Sequence, residues 1–420
     1  MNPFIFTVIF AIALLASVAL RLWLATRQIH HVARHRDAVP AEFATRIGLT
    51  AHQRAADYTV ARTRLGMIDT LISAVLLLGF TLFGGLQLIQ DTLASWLPDM
   101  PFARQLLLVA AVMLIGALVE VPLDWYRQFR LEQRFGFNRM TLPLFLADLA
   151  KGLLLTAVLG LPLLALVLWL MQSAGAWWWL WTWAAWVAFN LTVLVLYPTV
   201  IAPLFNRFEP LADTAVRERV EALLARCGFT ARGLYVMDGS KRSAHGNAYF
   251  TGLGRAKRIV FFDTLLSRLN VDEIEAVLAH ELGHFRRRHV PKRIALMFVL
   301  SLAGLALLGW LSQQPWFYQG LGLTPDPQGQ GAAALVLFFL VLPSFTLLLQ
   351  PLGSLLSRRH EFEADAFAAD QTRAQHLIDA LVKLYEDNAS TLTPDPVHSA
   401  FYDSHPPAAQ RIGRLAAAAR

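Results

Sequence analysis

The sequence predicts a mainly α-helical membrane protein, in which seven transmembrane helices form a bundle and the polar segments form a smaller α+β portion. Of the 420 residues, 56% are hydrophobic and only 16% are charged, whereas about a quarter of the residues of soluble domains are charged. The mean hydropathy is +0.46. Seven apolar stretches are long enough, at about 20 residues, to cross a hydrocarbon core of about 30 Å. They lie near 4–26, 68–90, 105–126, 144–170, 177–197, 294–312 and 333–356.

The polar segments divide the chain into four predicted parts. Spans 1 to 5 and their loops occupy 1–197, a polar insert occupies 198–293, spans 6 and 7 occupy 294–356, and a polar tail occupies 357–420. Within the insert, residue spacing predicts one amphipathic helix and then three strands, of which the last two form a hairpin. The helix lies near 216–224 and ends at Cys227-Gly228, the strands lie at 234–236, 247–250 and 258–262, and the hairpin turn lies at 252–254.

The positions of the basic residues predict the topology. A net charge of +7 at pH 7 would suit a nucleic-acid partner, but most Lys and Arg lie in the first and third loops, the insert and the tail. The connections 91–103, 171–176 and 313–332 contain neither residue. With the N-terminus outside, seven spans place every basic segment in the cytoplasm, which is the positive-inside pattern. We therefore predict a multi-pass integral membrane protein with lipid, and no nucleic acid, as a partner.

The pentad His280-Glu281-Leu282-Gly283-His284 predicts a metal site. A capping Asn270, acidic residues and apolar residues at helical spacing precede the pentad, which places it on a helix. Residues i and i+4 share one helix face, so both imidazoles can bind one metal ion beside Glu281, the predicted general base. This arrangement is typical of zincins and predicts one Zn²⁺ per chain. The alternative is a helix whose histidines only pack or pair with Glu281.

The third zinc ligand is expected just after the seventh span. Catalytic zinc usually has three protein ligands, and Glu361 and Asp365 are four residues apart on one helix face at the same membrane level as the pentad. We predict Glu361 as the third ligand and Asp365 as the acceptor that orients a ligand imidazole. Glu363 lies about 160° around the helix from Glu361, and His289, five residues beyond the pentad, is expected off the metal face. The alternative is a solvated acidic segment paired with the arginines before it.

Several motifs together resemble those of the type I CAAX prenyl proteases, which are integral-membrane zinc metallopeptidases. The matching landmarks, in the same order, are Phe135-Gly136-Phe137-Asn138, Tyr197-Pro198, Ile201-Ala202-Pro203-Leu204-Phe205, Asn247-Ala248-Tyr249-Phe250, the pentad, Glu361-Phe362-Glu363-Ala364-Asp365, and His405-Pro406 with Arg411. The resemblance implies that the seven spans enclose a chamber and that the α+β portion is a gluzincin-like catalytic unit. It also implies that His280, His284 and Glu361 bind zinc.

The resemblance further implies that Asn247, His405 and Arg411 contact the substrate backbone or the transition state. An exposed edge strand that includes Ala248 and Tyr249 can hold an extended peptide by β-augmentation. His405 and Arg411 can donate to a developing oxyanion. The alternative for His405 is a residue of a turn, and the alternative for Arg411 is an ion pair with an acidic side chain. The chain is shorter than the eukaryotic pattern and rich in Ala and Arg, which predicts a bacterial relative in an inner membrane.

The predicted function is a zinc endopeptidase at the cytoplasmic membrane face, acting on membrane-associated proteins that are prenylated or misfolded. A site-2 intramembrane protease is disfavoured because the pentad lies outside the spans and no Leu-Asp-Gly tripeptide occurs. A membrane transporter or an inactive zinc-binding scaffold is the remaining alternative. A transporter needs ionisable residues within its spans. The spans offer Glu120, Asp124 and Asp148, which are few and near span ends.

Overall fold

The computed structural model describes residues 1–230, 233–251, 258–326 and 330–418. The helices of this part of the chain are α1 (Pro3–Arg34), α2 (Leu49–Phe80), α3 (Gly85–Trp96), α4 (Pro101–Tyr126), α5 (Leu142–Leu155), α6 (Leu161–Ser173), α7 (Trp178–Leu196), α8 (Ala202–Phe205), α9 (Thr214–Arg226), α10 (Asp263–Leu266), α11 (Val271–Arg286), α12 (His289–Leu311), α13 (Pro315–Gln319), α14 (Gln330–Thr346), α15 (Gln350–Gln371), α16 (Ala374–Asp387), α17 (Pro396–Tyr402) and α18 (Ala408–Ala418). The strands are β1 (Phe208–Pro210), β2 (Gly233–Met237), β3 (Ala248–Thr251) and β4 (Arg258–Phe262).

Among the described residues, seven helical segments are long and apolar enough to cross a membrane, as predicted. Three of them combine an α-helix with a π-helical segment, and the seventh runs from α14 into α15 through a short 3₁₀ turn. The segments are Pro3–Arg34, Leu49–Phe80, Pro101–Glu132, Leu142–Ser173, Gly175–Phe205, His289–Leu311 and Gln330–Gln371. Because the seventh continues without a break, one long helical segment connects the membrane to the predicted third ligand.

The second span differs from its predicted range of 68–90. Its helix α2 ends at Phe80, and α3 then begins as a separate helix at Gly85. Gly84 adopts a left-handed conformation with φ +76°, which side chains with a Cβ disfavour. A Cβ at Gly85 would lie 2.5 Å from the carbonyl oxygen of Gly79, so the chain turns where only glycine fits. The apolar composition continues through this turn, and hydropathy alone therefore placed the span too late.

One end of the bundle is closed by a hydrophobic cluster. Phe10 of α1, Leu86 of α3, Leu308 of α12 and Phe317 of α13 are buried against the first turns of α14. The Tyr318 hydroxyl donates to the carbonyl oxygen of Ser312 at 2.7 Å, so the buried ring has a hydrogen-bond partner. The closed end leaves the opposite ends of the spans to meet the α+β portion.

The α+β portion has its own core, built between a four-stranded sheet and helices α9, α11, α16 and α18. The strand order is β1-β2-β4-β3, with β2 and β4 parallel and the other neighbours antiparallel. The three predicted strands are present, the middle one shifted by one residue so that Asn247 precedes β3. The predicted turn at 252–254 lies outside the described residues. Within them, β3 pairs only with β4 and forms an edge of the sheet.

The pentad lies on α11, as its flanking sequence predicts. Asn270 caps the helix through a reciprocal pair of 2.9 Å hydrogen bonds with Glu273. Such a capping box satisfies backbone N–H groups that have no partner within the helix. Lys383 of α16 holds the buried Glu273 carboxylate at 2.8 Å. The start of the helix is thus fixed to the core of the α+β portion.

Candidate metal centre

Helices α11 and α15 bring the ligand atoms of three residues together. His280 Nε2 lies 3.2 Å from His284 Nε2 and 3.5 Å from Glu361 Oε2. His284 Nε2 lies 3.3 Å from Glu361 Oε1. Tetrahedral zinc with bonds of about 2.0–2.1 Å separates its ligand atoms by about 3.3 Å. The three residues are therefore spaced as the edges of a zinc coordination sphere.

The electrostatics of the Glu361 carboxylate also fit a cation. Its Oε2 atom is buried and has no hydrogen-bond partner among the described residues. A buried carboxylate oxygen without a partner is costly. A metal ion between this oxygen and the two imidazoles removes that cost. Residues His280, His284 and Glu361 form the one candidate metal-binding group found within the described ranges.

Gly283, between the two histidines, permits the close approach of α11 and α15. A Cβ at this position would lie 2.9 Å from Ala364 Cα and 3.1 Å from the Ala364 carbonyl oxygen. Contacts between carbon atoms are favourable at about 3.5–4.0 Å. The absence of a side chain at Gly283 thus lets the backbone of α15 approach near enough for Glu361 to meet both imidazoles.

Asp365 and Arg411 form a buried network behind His280. His280 Nδ1 donates to Asp365 Oδ1 at 2.8 Å, which leaves Nε2 free for a metal. Arg411 donates to both Asp365 oxygens, at 2.6 and 2.9 Å, and is 5% exposed. Burial disfavours a charged His280, but the nearby carboxylates of Asp365 and Glu361 outweigh this and raise the pKa of His280 to about 9 in the absence of metal.

The pentad faces a cavity of about 190 Å³ that also collects most of the predicted substrate-contacting residues. Glu281, Asn247, Ala248, His405 and Arg411 all line it. Burial raises the pKa of Glu281, against the opposing effect of the two histidines. A carboxylate with a raised pKa is a stronger base than an exposed glutamate. The cavity therefore holds a base, hydrogen-bond donors and a strand edge around the ligand atoms.

The Tyr249 side chain lies away from the metal cavity, so its predicted part in substrate binding rests on its backbone. Its ring packs edge-on against Phe262, at 6.2 Å between centroids, and lines a separate pocket with Tyr235 and Pro203. Successive side chains of a strand point to opposite faces of the sheet. Because Ala248 faces the metal cavity, Tyr249 points away from it. Only the backbone of Tyr249 is placed where it could meet a peptide along the edge of β3.

The metal cavity adjoins a larger, partly open cavity of about 840 Å³. His405 belongs to the lining of both, and its Nε2 atom lies 3.5 Å from Glu361 Oε2. The larger cavity lies between α1, α2 and the segment from α16 to α18, and includes Arg21, Tyr58 and Asp69. The two cavities together form one continuous space beside the ligand atoms.

Comparison with known proteins assigns the family. A family model described as peptidase family M48 matches residues 210–419. A second, described as the CAAX prenyl protease N-terminal region with five membrane helices, matches residues 28–207. The chain belongs to peptidase family M48. The predicted zinc metalloendopeptidase activity and the predicted mainly α-helical membrane fold are thereby confirmed.

Individual M48 relatives cover most of the chain. It is 36% identical over 321 residues to a CAAX prenyl protease 1 homolog of Arabidopsis thaliana, covering 75% of this chain and 74% of that protein. It is 34% identical over 329 residues to CAAX prenyl protease 1 of Saccharomyces cerevisiae, covering 74% and 72%. The crystal structure of S. mikatae Ste24p superposes with a TM-score of 0.91 at 29% identity, covering 98% of this chain and 99% of that one.

His289 of this M48 peptidase is predicted to lie off the metal face, and it does not belong to the candidate metal-binding group among the described residues. Counting along one continuous helix nevertheless does not predict the contact of its ring with His284. The helix breaks at Arg288, which has a left-handed φ of +56°, and α12 begins at His289. The His289 ring therefore turns back and its Nδ1 atom lies 3.0 Å from His284 Nδ1. Pro291 was the available signal, because it has no N–H to continue the hydrogen bonds of α11.

Proposed function

We propose that this M48 peptidase holds its catalytic zinc with His280, His284 and Glu361. We also propose that it hydrolyses peptide bonds of membrane-associated proteins on the cytoplasmic side. The observation that carries the proposal is the close approach of the two imidazoles, 3.2 Å apart at Nε2, to the two Glu361 oxygens at 3.3 and 3.5 Å. One of these oxygens, Oε2, is buried without a hydrogen-bond partner among the described residues. Neither a transporter nor a scaffold needs a general base and an exposed strand edge beside such a group of ligands.

Different residues of the cavity have different roles in hydrolysis. Zinc, when bound, supplies a Lewis acid that polarises the scissile carbonyl and lowers the pKa of water. Glu281 takes the proton of the attacking water and passes it to the leaving amine. Its buried position, which raises its pKa, suits both transfers because the carboxyl group must hold the proton between them.

His405, Arg411 and Asp365 stabilise the developing charge and the ligand geometry. Asp365 fixes the ring of His280 through the 2.8 Å hydrogen bond at Nδ1. Arg411 holds Asp365 with Nε and one terminal nitrogen, while its other terminal nitrogen lies 3.8 Å from Glu361 Oε2. That nitrogen and His405 Nε2 are the donors available for the oxyanion.

Substrate alignment is assigned to the edge of β3. The backbone from Asn247 to Tyr249 forms the edge that faces the metal cavity at Asn247 and Ala248, and an extended peptide can pair with it. The adjoining cavity of about 840 Å³ gives room for the neighbouring residues of an unfolded segment. Proteins that reach this cavity from the membrane, prenylated or misfolded ones among them, are the proposed substrates. The basic loops support a cytoplasmic site in a bacterial inner membrane.

Glu281→Gln tests the chemistry. The variant keeps the three proposed zinc ligands but cannot accept a proton, so cleavage of a farnesylated test peptide should fall by about 10²–10⁴ while zinc content stays at one per chain. Glu386→Gln, an exposed carboxylate on α16, is the matched control and should cleave like the wild type. Wild-type cleavage by zinc-loaded Glu281→Gln would refute the mechanism. Mass spectrometry of membranes that contain the wild type or Glu281→Gln would then identify natural cleavage sites.

A further inference from the structure

We propose that His289, the first residue of the sixth span, is a positioning residue for His284. In this arrangement His289 accepts a hydrogen bond from His284 and donates one to Glu363, which fixes the tautomer and the ring orientation of a zinc ligand. The inference deepens the proposed function and rests on the assignment of His284 as a ligand. It adds a second outer partner to the site, distinct from the Asp365 and Arg411 pair behind His280.

The contacts form a chain that leads from the metal centre to the surface. His284 Nδ1 lies 3.0 Å from His289 Nδ1, and His289 Nε2 lies 3.0 Å from Glu363 Oε2. Arg359 donates from Nε to the other oxygen, Glu363 Oε1, at 3.1 Å. Exposure increases along the chain, from 4% for the His289 side chain to 30% for Glu363 and 79% for Arg359. The hydrogen bond between His284 and His289 is therefore better shielded from water than the bonds further along the chain.

The proton positions follow from the geometry. His284 Nε2 faces His280 and Glu361, so the lone pair that binds metal is on Nε2 and the proton is on Nδ1. A neutral imidazole has one donor and one acceptor. His289 Nδ1 must therefore accept from His284, which leaves the proton of His289 on Nε2, where the Glu363 carboxylate accepts it. No other assignment satisfies both 3.0 Å contacts and leaves His284 Nε2 free.

The fold holds the His289 ring in this place from two sides. The break at Arg288 turns the chain between α11 and α12, and the ring stacks on His360 of α15 with 3.9 Å between centroids and 12° between planes. His289 thus touches the pentad helix, the sixth span and the helix that carries Glu361. A displacement of the sixth span would move the acceptor of His284 directly.

The two proposed histidine ligands then differ in what lies behind them. His280 donates to a carboxylate that is itself held by a buried arginine. His284 donates to a neutral imidazole, and the carboxylate lies one residue further out. Outer partners of this kind typically change metal affinity by about 10- to 100-fold when they are removed. We expect an effect of that size at His289.

Two substitutions at His289 separate positioning from packing. His289→Phe keeps an aromatic ring that can stack on His360 but has no acceptor, whereas His289→Asn loses the ring and keeps an oxygen near the position of Nδ1. With full-length protein in detergent, zinc release to a chromogenic chelator should be about 10- to 100-fold faster in His289→Phe. In His289→Asn it should be within a few-fold of the wild type. The visible spectrum of the Co²⁺-substituted protein should change in His289→Phe and be largely retained in His289→Asn.

Controls make each outcome decisive. His360→Phe keeps the stacked ring and removes a nearby imidazole outside the hydrogen-bonded chain, so it should release zinc like the wild type. Glu363→Ala removes the outer acceptor from a partly exposed position and should speed release by a few-fold, which tests the chain even if His289→Phe does not fold. Equal release rates in His289→Phe and His289→Asn, or faster release in His289→Asn, would overturn the proposal.

One further variant separates this inference from the proposed function. His284→Ala should lose zinc. If it instead keeps one zinc per chain, the ligand assignment itself is wrong. If His284→Ala loses zinc while His289→Phe and Glu363→Ala behave like the wild type, only the role of His289 is refuted.

Discussion

Gly283→Ala should weaken zinc binding without unfolding the protein. The added Cβ would lie 2.9 Å from Ala364 Cα, about 0.6 Å closer than the shortest favourable contact of about 3.5 Å. The neighbour is backbone, so α15 must move as a unit to relieve the contact. Glu361 lies one turn before Ala364 on the same helix and moves with it. Metal ligands must keep their distances within about 0.2 Å, so a displacement of about 0.6 Å cannot be absorbed at the proposed centre.

The effects of this substitution on metal and on folding should differ. Overpacking typically costs about 1–3 kcal/mol, and replacing a mid-helix glycine by alanine returns about 0.5–1 kcal/mol. The metal-free protein should therefore lose no more than about 2.5 kcal/mol of stability. Zinc affinity should fall by at least the 10- to 100-fold typical of an outer-partner loss, because here a ligand itself moves.

The assay combines zinc release to a chelator with thermal unfolding in the presence and absence of zinc. Gly353→Ala is the matched control, since it adds the same methyl group to α15 at a position where a Cβ meets no atom within 4 Å. It should keep wild-type zinc release. If folded Gly283→Ala releases zinc within twofold of the wild-type rate, the close approach of the two helices does not set the ligand geometry and the reasoning fails.

Three further predictions concern the remaining residues of the site. Glu361→Ala should abolish zinc retention because only two proposed ligands remain, whereas Asp365→Ala should weaken zinc binding by about 10- to 100-fold. Zinc content after dialysis measures both effects. Full zinc content in Glu361→Ala would show that Glu361 is not a ligand. The raised pKa of His280, about 9 in the metal-free site, means that zinc must displace a proton at neutral pH. Apparent zinc affinity should therefore rise about tenfold per pH unit between pH 7 and 9 and then level off; a flat profile would contradict the raised pKa. Asn247→Ala should lower kcat/KM on a peptide substrate with zinc content unchanged, because an edge strand positions the peptide, and loss of zinc would instead indicate a structural role.

The parts of the fold that could be predicted were those encoded by neighbouring residues. Seven apolar stretches gave the number of spans, because about 20 apolar residues are what a bilayer requires. Asn270 and Glu273 gave the start of α11, because a capping box involves residues three positions apart. The second span was misplaced because its apolar composition runs through the turn at Gly84, and hydropathy carries no information on the sign of φ.

Parts of the site that depend on contacts between distant elements were harder to predict. The separation of Glu361 and Asp365 placed both on one helix face, but the need for Gly283 appears only when α15 is packed against α11. Tyr249 was grouped with Ala248 by a motif, although neighbouring strand residues face opposite sides. The contact between His289 and His284 could be predicted only by recognising that the helix breaks at Arg288, and arginine has no intrinsic preference for ending a helix.

The break at Arg288 also explains how residues of the membrane bundle and of the α+β portion can contribute to one metal centre. The pentad helix α11 is anchored in the soluble core through its capping box and Lys383, while Glu361 arrives on the helix that continues from the seventh span. His289 and Gly283 are two of the points where these parts are in atomic contact. A substitution at either point acts on the ligands through the relative position of two rigid helices, so its effect should appear in metal release before it appears in global unfolding.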